Sequence, residues 1–383
     1  MSSPKEPVNQ QWVLQFCHGY DGPFLDCARQ YAALFSGTPY KVCTVYLTGA
    51  PNAEAERGSA SDEVIFLAYD SKDVRGLKLG AMRRLRSIVA GRDVRFCIAH
   101  RFKPIYIALL ATRLPVIGVH HAFGVYSRQA RRWFINRFRS RLLLLGVSNA
   151  VRDEIRAHLP GWEPARIETL YNRIDVAAVQ AEQVSREAAR ETLGLPPDAW
   201  VIGNVGRLHP DKDQATLIRG FALALPQLPA NSLLAIMGSG RLESSLKALA
   251  SKLDVSARVR FLGQVRQGRR YFKAFDTFAL SSDHEPFGMV LLEAMAAGVP
   301  VVASDCGGAR EVVEGVGKIF PLGDHHVLAA ELVAAAELQR CSPEPVRDAS
   351  DCLVERFSDA RARRDFAAIL SRGFDKDVFW NRM

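Results

Sequence analysis

The chain has 383 residues, a formal net charge of +9, a hydrophobic fraction of 48% and a charged fraction of 24%. That length exceeds the roughly 250–300 residues one core organises, so two domains are expected, and the composition excludes wholesale disorder. No apolar run approaches the ~20 residues that cross a bilayer, and the N-terminal MSSPKEPVNQQ lacks the apolar centre of a secretory signal. Seven scattered cysteines without a CxxC pair argue against a disulfide framework or a zinc site and fit a reducing, cytoplasmic compartment.

In chain order, strand-like apolar runs alternate with helical patterns, as in βαβ units with parallel sheets. The first half reads as strands at Trp12–His18, Lys41–Leu47, Glu63–Tyr69, Val94–His100, Pro115–His121 and Arg141–Val147. Helices fit between them, including Val125–Phe138 and Ala150–His158, the latter opened by Ser148 and Asn149 as N-cap residues. After Tyr171-Asn172-Arg173-Ile174-Asp175 the stretch Val176–Arg190 turns polar and Ala/Glu-rich, reading as a linker that enters a helix. Alternation then restarts: strands at Trp200–Val205, Ser232–Met237, Val259–Leu262, Asp276–Leu280 and Val299–Ala303. Helices are expected at Asp213–Leu225, Leu242–Leu253, near Arg270 and at Asp359–Arg372, the last of which could pack back on the first domain. The fold class is therefore α/β, with two doubly wound parallel-sheet domains facing a central cleft. The divisions are placed at 1–177, 178–357 and a C-terminal helix at 358–383.

The segment Ser281–Gly308 carries the strongest chemical signal. It predicts a strand end, a polar turn shaped by Pro286 and Gly288, a short helix with Glu293 about two turns inside it, and a buried strand. A helix start beside a glycine turn presents free N–H groups and a positive dipole end to a phosphate. Glu285 and Glu293, unsuited to phosphate, suit hydroxyl groups of a ribose and a sugar. In the loop after Trp200–Val205, Arg207 and Lys212 can converge on a diphosphate, one as a planar fork and one as a mobile point charge.

The residues Gly206-Arg207-Leu208 with Lys212, Met237-Gly238-Ser239-Gly240, Phe261–Val265, and Glu285-Pro286-Phe287-Gly288 through Glu293 to Val302 carry a resemblance. Over residues 200–315 the chain resembles the nucleotide-sugar domain of retaining glycosyltransferases of family 4, which have the two-domain GT-B fold of paired Rossmann-like domains. The resemblance implies that Arg207 and Lys212 neutralise the donor diphosphate, Glu293 holds the ribose and Glu285 the transferred sugar. Phe287, Gly288, Met289 and Val290 would bind donor at the helix start, Val265 would lie where the base is gripped, and Gly238 would line the pocket. In the first half, His120 matches the position near donor sugar and acceptor. Because neighbouring strand side chains point oppositely, only one of His120 and His121 should face the cleft, while His18 and His100 are weaker strand-end candidates. Gly22 could let the first loop approach the phosphates. The loop GYDGPF lacks the family's usual paired glycines, and Asp21 adds a carboxylate there.

Asp211-Lys212-Asp213 superficially resembles a DxD metal motif, yet Asp213 reads as an N-cap, and Arg207 and Lys212 can do a divalent ion's charge work, so no metal is expected. The resemblance implies a retaining, metal-independent transferase. It would move a hexose or N-acetylhexosamine from a nucleoside-diphosphate sugar, a UDP-sugar by preference, to a glycan or glycolipid of a bacterial lipopolysaccharide or other envelope polysaccharide. A nucleotide-sugar epimerase and a nucleic-acid-binding protein are the alternatives, and no nucleic-acid module is visible. The basic residues gather at Arg75, Lys78, Arg83, Arg84, Arg86, Arg92 and Arg95 and again from Arg128 to Arg141, interleaved there with Trp133, Phe134, Ile135 and Phe138. Such a basic amphipathic helix points to an anionic inner membrane surface and a peripheral location.

Overall fold

The computed structural model describes residues 10–70, 72–341 and 349–374. The N-terminal segment 1–9 and the end of the chain past 374 lie outside the described residues. Contacts divide the chain into two compact units, Met1–Asn172 with Ala362–Met383, and Arg173–Arg361. The first break falls inside the Tyr171–Asp175 stretch where the sequence changes character, and the helix Asp359–Gly373 runs through the second.

In the first unit seven strands form one sheet: β1 (Gln11–Cys17), β2 (Lys41–Thr48), β3 (Glu63–Tyr69), β4 (Asp93–His100), β5 (Val116–His120), β6 (Leu142–Gly146) and β7 (Ile167–Thr169). All pairings are parallel and the order is β3-β2-β1-β4-β5-β6-β7. The strands are apolar on both faces because helices cover both: every residue of β5 and of β6 is buried. The helix Asn149–His158 starts where expected, with the Ser148 hydroxyl accepting from Val151 N at 3.1 Å. The C-terminal helix joins this unit through Phe366 against Phe35 and Arg363 donating to the Ala33 carbonyl.

The second unit repeats the plan with six parallel strands: β8 (Val201–Val205), β9 (Leu233–Met237), β10 (Val259–Gly263), β11 (Thr277–Leu280), β12 (Val301–Ser304) and β13 (Lys318–Phe320), ordered β10-β9-β8-β11-β12-β13. The stretch 176–190 is not a linker: it forms helices Val176–Glu182 and Arg186–Leu193, separated at Gln183–Ser185 and each capped, by Asp175 and Ser185. Near Arg270 the chain makes a 3-10 turn, Gly268–Ala274, in place of an α-helix. Arg190, 1% exposed, ties this region down by donating to the carbonyls of Ala274, Pro196 and Pro197 and to Asp276 at 2.8 Å.

In both sheets the strand order reverses once, between β1 and β4 and between β8 and β11. Chains leaving neighbouring strands in opposite directions open a crevice at their carboxyl ends, the place where such sheets bind ligands. In the second unit the loops there are Gly206–Asp213 after β8 and Ser281–Gly288 after β11.

Candidate active site

The two switch-point loops of the second unit are stitched together by short hydrogen bonds. Ser281 Oγ, 1% exposed, donates to the Lys212 carbonyl at 3.0 Å, and Asp283 N donates to the Asp211 carbonyl at 3.1 Å. Lys212 thereby comes to face Glu285, 73 residues further on: Nζ donates to Oε2 at 2.6 Å. Both groups are largely shielded, with side chains 18% and 10% exposed. Ser282 Oγ lies 3.4 Å from the same oxygen. The backbone of Glu285 is fixed as well, its N–H on Cys306 Sγ at 3.3 Å and its carbonyl accepting from Gly308 N at 2.9 Å. One carboxylate oxygen is thus spent on Lys212 and Ser282, and the residue cannot drift.

Glycines make this packing possible at two points. At Gly308 an added Cβ would sit 2.5 Å from the Pro286 carbonyl oxygen, so only glycine lets the loop after β12 pass the Glu285 turn. Gly288 has φ +104 and is the residue before the helix Met289–Ala296. That helix starts later than the sequence predicts, so Glu293 lies about one turn inside it, half-buried. Phe287 is 2% exposed with its ring 5.6 Å from that of Phe357, which leaves main-chain groups for any ligand at this turn. Met289 and Val290 are half-buried in the first turn.

Arg207 behaves differently from Lys212. Its side chain is 72% exposed and meets Asp211 Oδ2 at 3.4 Å, while the other oxygen of Asp211 is taken by His209. Asp213 caps the helix Gln214–Ala224, accepting from Thr216 N at 3.3 Å, as its position after Lys212 predicts. The Arg207 main chain is pinned on both sides: Gly206 N donates to Met237 O at 2.9 Å and Leu208 N to Ser239 O at 3.0 Å. Gly238, with φ +141, passes so close that an added Cβ would lie 1.9 Å from Gly206 O. Gly238 N in turn bonds Gly263 O at 2.7 Å, which brings the turn holding half-buried Val265 beside the same strand ends.

In the first unit the strand-end histidines are interior groups. His120 is fully buried, its Nε2 2.9 Å from the Tyr126 hydroxyl and its Nδ1 without a partner. His121, half-buried, has Nε2 3.1 Å from His100 Nδ1 and its ring stacked on that of His100. Both rings are engaged by protein. Burial holds His120 down to about 3 and His121 to about 4, with the Arg101 guanidinium adding to the effect on His121. His18 is held at about 4 by burial and by Arg101 and Lys103, and buried His100 lies well below its usual value. These four are neutral at pH 7. Gly22 sits in an exposed turn at φ +59 beside exposed Asp21. Among the described residues no group of three or more His, Cys, Asp or Glu side chains is placed to hold a metal ion.

Sequence reasoning singled out Lys212 and Glu285 and weighed Asp211 only as part of a DxD pattern, but gave no role to Ser281, Ser282 and Cys306, which with the Asp211 carbonyl place them. A Ser-Ser pair leaving a buried strand was the available signal.

Residues 32–178 match the model described as Glycosyltransferase Family 4, and residues 185–339 match Glycosyl transferases group 1. A D-inositol 3-phosphate glycosyltransferase from Rhodococcus opacus is 38% identical over 189 residues, 46% of this chain and 42% of the relative. An uncharacterized glycosyltransferase from Methanocaldococcus jannaschii is 33% identical over 178 residues, 45% of this chain and 44% of that one. The chain thus matches less than half the length of these curated relatives. Two solved structures share the fold. A glycosyltransferase from Rickettsia africae has a TM-score of 0.81 at 14% identity, over 98% of this chain and 100% of that one. Anabaena Alr3699/HepE, solved with UDP and glucose, has a TM-score of 0.75 at 22% identity, over 94% and 99%.

Proposed function

We propose, for a chain that belongs to the family 4 and group 1 glycosyltransferases of GT-B fold, that it transfers a hexose or N-acetylhexosamine from a nucleoside-diphosphate sugar to a glycan or glycolipid. The observation that carries this is the Lys212–Glu285 pair, 2.6 Å apart at the β8/β11 switch point beside the glycine-started helix Met289–Ala296. A cation and a carboxylate held side by side match the two halves of a sugar diphosphate, phosphate for Lys212 and sugar hydroxyl for Glu285.

In this reading the donor enters at the strand ends of the second unit. Its diphosphate lies against Lys212, Arg207 and the N–H groups at Gly288–Val290, its ribose against Glu293, and its base beside Val265 and Gly238. Lys212 leaves Glu285 for the phosphate, while Ser282 keeps the carboxylate aimed at the sugar. Departure of the diphosphate is the costly event, and fixed positive groups aimed at the developing charge lower its barrier most. Transfer is retaining: the acceptor attacks from the face the diphosphate leaves, with a phosphate oxygen taking the acceptor proton. Lys212 and Arg207 supply the charge, with no metal called on. UDP is the favoured nucleotide, in keeping with the UDP named for the Anabaena structure. His120, buried on Tyr126, acts by ordering the end of β5. A solved lipopolysaccharide outer core galactosyltransferase, WaaB, shares the fold at 16% identity and a TM-score of 0.68, and an envelope glycolipid at the inner membrane surface is the acceptor class proposed.

The test is incubation of purified protein with UDP-, GDP- and ADP-sugars, with and without a lipid-linked glycan fraction, reading nucleotide release and sugar incorporation. Acceptor-dependent release by the wild type and its loss in Glu285→Ala are expected. Isomerised sugar from donor alone would show an epimerase instead, and equal rates from wild type and Glu285→Ala would defeat the assignment.

A further inference from the structure

The first unit is electrically one-sided. From Val74 to Arg152 the only acidic residue is Asp93, and that carboxylate is already taken by Arg95 at 3.8 Å. The helices built from this stretch, Leu79–Ala90, Phe102–Ala111 and Gln129–Arg137, connect β3 to β4, β4 to β5 and β5 to β6. All three crossovers run the same way across the sheet, so the right-handed rule puts all three helices on one face. The acids Asp26, Glu54 and Glu56 belong to helices Phe24–Ala32 and Ala53–Gly58, whose crossovers run the other way and cover the opposite face.

Side chains join the three helices into one surface. Arg86 of the first donates to the carbonyls of Ala111 and Leu110 at the end of the second. Lys78 Nζ stands 4.7 Å from the centre of the Tyr106 ring, and that ring lies 4.8 Å from Phe134 of the third helix. Arg131 sits 4.7 Å from the centre of the Phe102 ring, itself 6.1 Å from Phe134. Not every cation of the stretch is available: Arg92 is paired with Glu63 at 2.6 Å, and Arg141 donates to the carbonyls of Thr112 and Leu114. Arg75, Arg83, Arg84, Arg128, Arg137 and Arg139 are exposed.

The same surface carries apolar side chains with nothing to cover them. Among the described residues of the first unit, the exposed large hydrophobics are Leu77 (67%), Leu79 (54%) and Trp133 (73%), and no others. Leu77 and Leu79 flank Lys78 at the start of the first helix, and Trp133 is next to Phe134 on the third. Cations alone would suit a nucleic acid as well. Two leucines and a tryptophan standing out among arginines fit the boundary of an anionic bilayer, where apolar groups enter the acyl region and cations meet the headgroups.

We propose that this three-helix face docks on an anionic lipid bilayer, with Leu77, Leu79 and Trp133 inserted and the surrounding arginines on lipid phosphates. This deepens the membrane partner named above by joining the basic helices into one face and naming the side chains that enter the bilayer. It stands apart from transfer chemistry, since none of these residues belongs to the donor site.

The experiment is co-sedimentation of the full chain with vesicles of phosphatidylcholine mixed with phosphatidylglycerol, against phosphatidylcholine alone. Binding to the anionic vesicles that weakens with salt is expected. Each cation near such a surface is worth about fivefold in affinity, so Arg83→Glu/Arg84→Glu should lose roughly 25-fold or more. Leu77→Ser/Leu79→Ser and Trp133→Ser should each lose about tenfold or more with unchanged melting temperature, because the side chains are exposed. Glu285→Ala should bind vesicles like the wild type, so failure of the transferase reading and failure of docking are told apart. No binding to anionic vesicles, or binding indifferent to both the arginine and the apolar variants, would overturn the proposal. Equal or tighter retention on single-stranded RNA at the same salt, unaffected by the leucine and tryptophan variants, would overturn it in favour of nucleic acid.

Discussion

Gly238→Ala tests the donor loop through a contact that chemistry alone would not single out. The new Cβ would lie 1.9 Å from Gly206 O and 2.8 Å from Gly206 C, at a φ of +141 that side chains other than glycine's rarely adopt. Ordinary contact needs roughly 3.5 Å, so the Gly206 peptide must retreat by about 1.5 Å. It has little room, because Gly206 N is held by Met237 O and Leu208 N by Ser239 O. Overpacking of about 1–3 kcal/mol and backbone strain of similar size give an expected loss of ~2–6 kcal/mol. Since Arg207 follows Gly206, the displacement moves the exposed guanidinium and the loop leading to Lys212. A misplacement of about 1 Å is enough for a loss of roughly 10²-fold. The assay pairs thermal unfolding with transfer rate, using Gly323→Ala as control. Gly323 has φ +74 and nothing within 4 Å of a new Cβ, so it should show the ~1–2 kcal/mol of left-handed strain and unchanged transfer. If Gly238→Ala melts like the control and transfers at the wild-type rate, the close approach does not organise the site.

Further outcomes follow from other contacts. Glu285→Gln keeps the shape of the site but releases Lys212 from its carboxylate. Nucleoside diphosphate should bind at least as tightly as to the wild type in calorimetry, while transfer falls by at least ~10²-fold. Arg190→Met should cost about 3–5 kcal/mol in denaturant unfolding, because it strips a partner from Asp276 and leaves the Ala274, Pro196 and Pro197 carbonyls without theirs. Acid should destabilise the first unit. His120 is neutral when folded down to about 3, whereas an unfolded histidine takes a proton near 6.5. Its contribution is constant above pH 6.5 and is lost as pH falls toward 3, reaching about 2 kcal/mol by about pH 5. His120→Gln should flatten that part of the stability–pH profile.

Much of the fold was legible because parallel strands covered on both faces are continuous apolar runs. Leu142–Gly146 and Leu233–Met237 could be read as strands within a residue or two of their ends. The edge strands Ile167–Thr169 and Lys318–Phe320 were not, since three residues with a single buried apolar side chain are too few to carry a pattern. The late start of the helix Met289–Ala296 was hidden too. Pro286 and Gly288 both favour a turn, and only the left-handed φ of Gly288 sets where the turn ends. In the donor site, residue type and spacing pointed to Lys212 and Glu285, whose chemistry is strong. They could not show that the two meet, because that depends on Ser281 reaching a main-chain carbonyl 69 residues away. Nor could spacing reveal that His120 is closed over by Tyr126, a contact made by the loop after β5.

The central claim is that Lys212 and Glu285 form a nucleoside-diphosphate-sugar site, and binding of the nucleotide tests it most directly. Thermal unfolding is measured with UDP, GDP and ADP, each beside its parent nucleoside, for the wild type and Lys212→Ala. A ligand at 100 times its dissociation constant adds about 2.7 kcal/mol to stability. One diphosphate, UDP by preference, should raise the wild-type melting temperature, its nucleoside should not, and Lys212→Ala should lose the shift. No shift with any diphosphate, or an equal shift in Lys212→Ala, would contradict the account.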